Sequence, residues 1–385
     1  MHTTTTATAG YWSILRSLFP RAFRCSVAST RSNQRYPRLN LNRNLHVSLI
    51  RIAVAVIMTL FPVALRAREK ELLKLVDAIP LPDLREGDFD HFAMDLEGHR
   101  LFLTAEQNGK VFVFDTNTNK LIHTISDLKA PHSAVYRADS RKLFVVDGDD
   151  SAVKVYNGDT YELTGQVKVE IDADSVAYDP ATHYLYVVNG GREAHTQFSY
   201  ISVIDTNEAK KLKDIKIDSN WVEAIILEKT GPRLFCNITG ENAVAVFDRT
   251  SDALVVTWPL PRGDKHNVSL ALDESNHRLF VVTGDPALLI VLNSDDGKLV
   301  TSVPAVGMVD DVAYDPGHKR IYASGDQFVD VFQQKDANTY ALVARIPGSF
   351  RAKTALLVPE LNRYYLAVPQ HGPKDAEVRV YEAQP

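Results

Sequence analysis

From residue 72 onward the chain alternates short apolar runs with polar turns, and the alternation itself repeats. One phrase recurs: a charged or polar residue, an anchor Leu, Ile or Tyr, then a short apolar run. It reads LFLTA after Arg100, LFVVD after Lys142, LYVVN after Tyr184, LFCNI after Arg233, LFVVT after Arg278, IYASG after Arg320 and YYLAV after Arg363. The anchors Leu101, Leu143, Leu185, Leu234, Leu279, Ile321 and Tyr364 are spaced by 42, 42, 49, 45, 42 and 43 residues. Each copy has the same internal grammar. An apolar strand precedes the anchor, as in FAMDL and DVAYD, and a tight polar turn separates the two. About ten residues past the anchor comes a strand alternating with period two, VFVFD in the first copy and VRVYE in the last. A fourth strand follows an Asx-rich turn, as in LIHTI and LVTSV. The β-branched and aromatic content suits strands. No segment carries a helical period.

Four strands with their turns fill roughly 40–45 residues, the size of a propeller blade. The pattern predicts an all-β, seven-bladed β-propeller of four-stranded antiparallel blades over residues 70–385. The last copy stops in its third strand, at Val380, Tyr381 and Glu382. Residues 72–79 form a strand with no other blade to join. Pairing this N-terminal strand with the last blade closes the ring and removes an open edge. An open solenoid would leave it unexplained.

Charge divides the chain differently. The 385 residues hold 43 Lys and Arg against 48 Asp and Glu, a net charge of −5. Residues 1–68 contain ten Arg and no Lys, Asp or Glu, which leaves −15 on the remainder. Within this basic leader, residues 52–65 form an uncharged apolar run of fourteen residues, with Arg51 before it and Arg66 and Arg68 after it. As a helix the run spans about 21 Å, short of a hydrocarbon core of ~30 Å. Its length and basic flank predict a signal peptide over residues 51–67, with an N-terminal anchor as the alternative. Residues 1–50 form a basic N-terminal extension. It reads as a transit peptide or as the product of a start site set too far upstream. The second reading is preferred, because an ordinary signal would begin near Val47. The expected location is periplasmic or extracellular, with no transmembrane span after cleavage. Cleavage would leave Cys236 without a partner for an internal disulfide. A body at −15 repels phosphate at long range, so nucleic acid is a disfavoured partner.

At Tyr186, Val187, Val188 and Asn189 the sequence resembles the YVTN-repeat family of seven-bladed propellers, which includes YncE-like exported proteins. The turns strengthen the likeness: Asp115-Thr116-Asn117 and Asp205-Thr206-Asn207 after the third strand, Tyr178-Asp179-Pro180 and Tyr314-Asp315-Pro316 in the first turn. The resemblance covers all seven repeats. It implies a propeller fold and export, and it carries little about function because these motifs are structural. Asp115, Asp179, Asp205, Asp248 and Asp315 read as Asx-turn formers, not catalytic acids.

In a propeller, the loops leading into each innermost strand share one face with the loops between second and third strands. The channel opens on that face. Counting eleven residues back from each anchor gives Asp90, His132, Asp174, Glu223, Val268, Asp310 and Lys353. Four of these seven are acidic; His91, Asp311, His266 and Asn267 flank them. Two carboxylates ~8 Å apart at an effective dielectric of ~20 repel by about 2 kcal/mol. The ring must therefore be wet, paired or cation-bound. Carboxylates with His and Asn suit a hard or borderline cation, which makes Asp174, Glu223 and Asp310 metal candidates. Lys353 and Arg351 are local counter-charges. Two long second-to-third-strand loops add Arg192 and His195 in one and His371 in the other. Trp221, beside Glu223, either stacks on a ligand or packs between blades.

No G-x-S-x-G, H-E-x-x-H, phosphate-loop or zinc spacing is present. The sequence predicts an exported binding or scaffold module, a monomer. Its mouth face holds a protein, a cell-envelope component or a small-molecule ligand. It identifies no cofactor, and a divalent cation is a candidate ligand. A metal-assisted hydrolase, broadly like the seven-bladed lactonases, is the alternative, with Asp174, Glu223, Asp310, His132 and His266 as candidates to activate water. Single-stranded nucleic-acid binding ranks third.

Overall fold

The computed structural model describes residues 71–385, and the expectations for residues 1–50 and 51–67 fall outside that range. The described residues form seven antiparallel sheets of four strands each. Blades 1 to 6 cover residues 92–125, 131–168, 176–217, 225–259, 265–304 and 311–347 in chain order. Blade 7 combines residues 355–383 with the N-terminal strand Leu73–Leu81. The first strand of each blade is innermost, and first strands of neighbouring blades touch, blade 7 against blade 1 included. The fold is the seven-bladed propeller that the repeat predicts.

The closure is also as expected. Leu73–Leu81 pairs antiparallel with Ala376–Ala383, from Leu73 opposite Ala383 to Leu81 opposite Ala376. The N-terminal strand starts one residue later and ends two residues later than predicted, and its partner extends over Ala376–Ala383. Leu81 is 2% exposed and packs with Val378, Tyr365 and Phe89.

The repeated phrase is a packing device. All seven anchors are buried, none more than 1% exposed. They fill the seams between blades: Phe235 and Val244 of blade 4, for example, pack against Leu279 and Val281 of blade 5. Burying such side chains stabilises by about 1.5–3 kcal/mol each. The fourth strands, which face outward, alternate poorly and stay exposed, as in Lys120–Ile125. Each of the five predicted turn-forming aspartates accepts backbone N–H bonds in its own turn. Asn117 and Thr118 donate to Asp115, Ala181 to Asp179, Asn207 to Asp205, Thr250 to Asp248 and Gly317 to Asp315. Cys236 is fully buried in the strand Arg233–Ile238.

Candidate functional site at the channel mouth

Because all blades share one register, side chains at the same offset from the anchor stack into rings. Ten residues before the first six anchors lie His91, Ser133, Ser175, Ala224, Ser269 and Asp311. These six line a cavity of about 210 Å³, the central channel. It is smaller than an ordinary small-molecule pocket of roughly 300–1,000 Å³. It suits an ion, the tip of a side chain or a very small molecule.

One residue earlier is the predicted ring. Shared backbone bonds fix its members: Asp90, Asp174, Glu223 and Asp310 each donate N–H to a second-strand carbonyl, of Thr104, Val188, Asn237 and Ser324. These positions meet. His132 Nδ1 lies 2.5 Å from Asp90 Oδ2 and 3.8 Å from Asp174 Oδ1. His91 Nδ1 lies 3.2 Å from Asp311 Oδ1, and its Nε2 lies 3.5 Å from Asp90 Oδ1. Lys353 Nζ donates to Asp310 Oδ2 at 2.9 Å. The ring is therefore largely paired across blades.

The electrostatics divide the acids. Burial pushes the Asp90 carboxyl up, but His91, His132 and Lys353 outweigh it and hold it below the usual carboxylate range. His91 is held well above its ordinary value despite its burial, by Asp90 and Asp311. His132 is raised to about 10 against the cost of burial, by Asp90 and Asp174. Asp174 moves the other way. Burial, and then the Asp90 charge, push it up to about 8. Its Oδ1 is buried and has no hydrogen-bond partner among the described residues. Burial also raises Glu223, to about 6, although it accepts a bond from Trp221. Asp310 is raised by burial, with Lys353 opposing.

Thirteen residues before the anchors lies an outer ring that includes Asp88, Asp172, Trp221, His266 and Arg351. Asp172, His266 and Arg351 take the left-handed conformation there. Arg351 pairs with Asp88, so its counter-charge role is to the outer ring. Trp221 Nε1 donates to Glu223 Oε1 at 2.5 Å, and the His266 ring lies 5.6 Å from the indole. Arg192, from the long blade 3 loop, stacks on Trp221 with its guanidinium carbon 4.1 Å from the ring centroid.

Other expected residues lie elsewhere. Asn267 is fully buried, and its amide nitrogen donates to Asn237 Oδ1 and the Ala243 carbonyl. It ties blades 4 and 5 together instead of presenting a ligand group. His195 is exposed on its loop. His371 pairs with Glu86 at 2.9 Å and stacks on Phe350 at 4.1 Å, lining a separate cleft.

Among the described residues, two groups of side chains have ligand atoms close enough to hold a metal ion: Asp90 with His91 and Asp174, and Asp90 with Glu106 and His132. Of the three predicted metal candidates, Asp174 belongs to such a group. Glu223 and Asp310 do not. Glu106 escaped the sequence reading. It sits five residues past its anchor, in a short turn that the ring count does not reach.

No protein-family model matches the chain. It is 20% identical over 283 residues to the uncharacterized protein YncE of Salmonella typhi, covering 71% of this chain and 78% of that protein. The match to YncE of Escherichia coli K12 is also 20% identical, over 211 residues, 52% of this chain and 58% of that one. Among solved structures, a chain of the mitotic checkpoint complex superposes with a TM-score of 0.67 at 14% identity, covering 92% of this chain and 100% of that one. The WD40 repeats of RRP9 give 0.67 at 9%, covering 81% and 100%. Kuenenia stuttgartiensis hydrazine synthase gives 0.65 at 17%, covering 74% and 93%. At these identities the structural likeness concerns the fold. The chain is a propeller with YncE-like relatives.

Proposed function

We propose that this chain is an exported, YVTN-type binding propeller whose channel mouth receives a positively charged group. The observation that carries the reading is Asp174. Its Oδ1 accepts no hydrogen bond among the described residues, and the nearest cationic nitrogen, His132 Nδ1 at 3.8 Å, is already bonded to Asp90, beside a channel of about 210 Å³. A cation arriving there would supply the missing partner and expel a proton. Asp90 is already paired with His91 and His132, and Asp310 with Lys353. The partner that delivers the charge is a protein, a cell-envelope component or a small molecule. Calorimetric titration with calcium, zinc and manganese tests the reading, with the double variant Asp174→Asn, Glu223→Gln as control. Heat in the native protein that is lost in the variant supports it.

One observation favours a second reading, a metal-assisted hydrolase: Asp90, His91 and Asp174 offer three metal-ligating atoms within 4.8 Å of one another. A metal there would lower the pKa of its bound water. It would first have to displace the proton that His91 holds, which opposes binding at neutral pH. A lactone-hydrolysis assay with and without chelator separates the readings. Chelator-sensitive turnover would favour the enzyme.

A further inference from the structure

Resting on the reading of the mouth as a cation receptor, we propose that its organic ligand is an alkylguanidinium or alkylammonium group. The group would be seated on the Trp221 indole beside Glu223, and Arg192 of the same chain holds that seat in the free protein. The indole is a prepared platform. Its Nε1 is fixed to Glu223, and His266 lies along another side. Its face already carries a cation, the Arg192 guanidinium. Aromatic faces attract such groups through the ring quadrupole. A carboxylate at the rim adds the second half of a recognition site for a basic side chain.

The backbone brings Arg192 to this place and leaves its side chain free to go. The blade 3 loop is six residues longer than its counterpart in blade 1, counted between anchor and third strand. Gly190 and Gly191 turn it with φ of 82° and 89°. A Cβ on Gly191 would lie 2.6 Å from the Asn220 carbonyl oxygen, so only glycine permits this approach. Arg192 N–H then donates to that same oxygen at 3.1 Å, and Thr196 N–H returns to Gly191 at 3.0 Å. The loop is thus pinned one residue from Trp221, while the Arg192 side chain itself is exposed. An incoming basic group and Arg192 compete for one face. Arg192 is a tethered competitor that keeps the indole covered until a better-placed cation arrives.

Titration calorimetry with N-acetylarginine amide and with an acetylated Gly-Gly-Arg-Gly-Gly peptide tests this. Arg192→Ala is expected to tighten binding about three- to tenfold, the range a cation–π contact supports. Trp221→Phe and Glu223→Gln are expected to weaken it by at least as much. Equal affinity for both probes identifies a free small-molecule group; tighter binding of the peptide identifies a peptide partner. If a probe binds and loses affinity in Asp174→Asn but is unmoved by Arg192→Ala and Trp221→Phe, the Trp221 seat is overturned and the receptor reading stands. If neither these probes nor divalent cations bind, both fail. Circular dichroism of each variant separates lost binding from lost folding.

Discussion

Nδ1 of His132 in blade 2 lies 2.5 Å from Oδ2 of Asp90, eleven residues ahead of the blade 1 anchor. The same nitrogen lies 3.8 Å from Asp174 of blade 3. One imidazole therefore bridges three blades at the mouth. Its charge state bears on both the stability of the ring and the charge that the mouth presents.

Stability should fall as the solution becomes alkaline. His132 is raised in the folded protein to about 10, from about 6.5 unfolded. Its contribution is fully present below about pH 6.5 and is lost as pH rises through about 10. Asp174 is raised to about 8, from about 3.9 unfolded, so its contribution is present below about pH 4 and is lost as pH rises through about 8. Thermal melts by circular dichroism from pH 6 to 10 should show a declining Tm. His132→Gln should lower Tm at pH 7, by about 3 kcal/mol in stability because Asp90 loses its partner, and flatten the decline. A flat native profile would contradict the pairing.

Asp174→Asn should have the opposite sign. It removes a half-buried carboxylate whose Oδ1 accepts no hydrogen bond among the described residues. At pH 9 the variant should melt about 2 °C or more above the native protein. At pH 4, where the native carboxyl is protonated, the two should coincide. A lower Tm for the variant at pH 9 would show that the pairing with His132 outweighs the cost of burying the carboxylate.

Ring closure should be worth several kilocalories at one side chain. Leu81 is 2% exposed in the strand that joins the two ends. Leu81→Ala should cost about 2–4 kcal/mol in urea unfolding. Leu75, 50% exposed on the same strand, is the control, and Leu75→Ala should change little. Equal effects would mean that the strand is not packed into blade 7.

Cys236 should be unreactive in the native state. It is fully buried, and burial pushes its thiol up. Alkylation followed by peptide mass spectrometry should find Cys236 unmodified without denaturant and modified in it. Labelling of the native protein would contradict the placement.

The fold was legible because every blade repeats the same burial problem. Anchors such as Leu143 and Leu279 fill equivalent seams, so the period in the sequence is the period in space. Counting from them also located Asp90, His132, Asp174 and Glu223 at one mouth. Pairing was less legible. His91 reaches Asp311 from blade 1 to blade 6, past blade 7, and linear spacing does not reveal which side chains meet across a channel. Asn267 lies next to the ring position in sequence, yet a register shift in its strand accompanies its burial against Asn237. The sequence carries two N-glycosylation sequons, Asn237-Ile238-Thr239 and Asn267-Val268-Ser269, and both asparagines are fully buried. Arg192 was visible only as part of a long loop, and its contact with Trp221 depends on loop geometry that no repeat encodes.

Calorimetry at pH 7.5, in two buffers of different ionisation enthalpy, tests the positively charged ligand most directly. The probes are calcium, zinc, manganese and N-acetylarginine amide. We expect saturable heat for at least one probe, with protons released on binding and the signal lost in Asp174→Asn, Glu223→Gln. No heat with any probe, or equal heat in the double variant, would contradict the account.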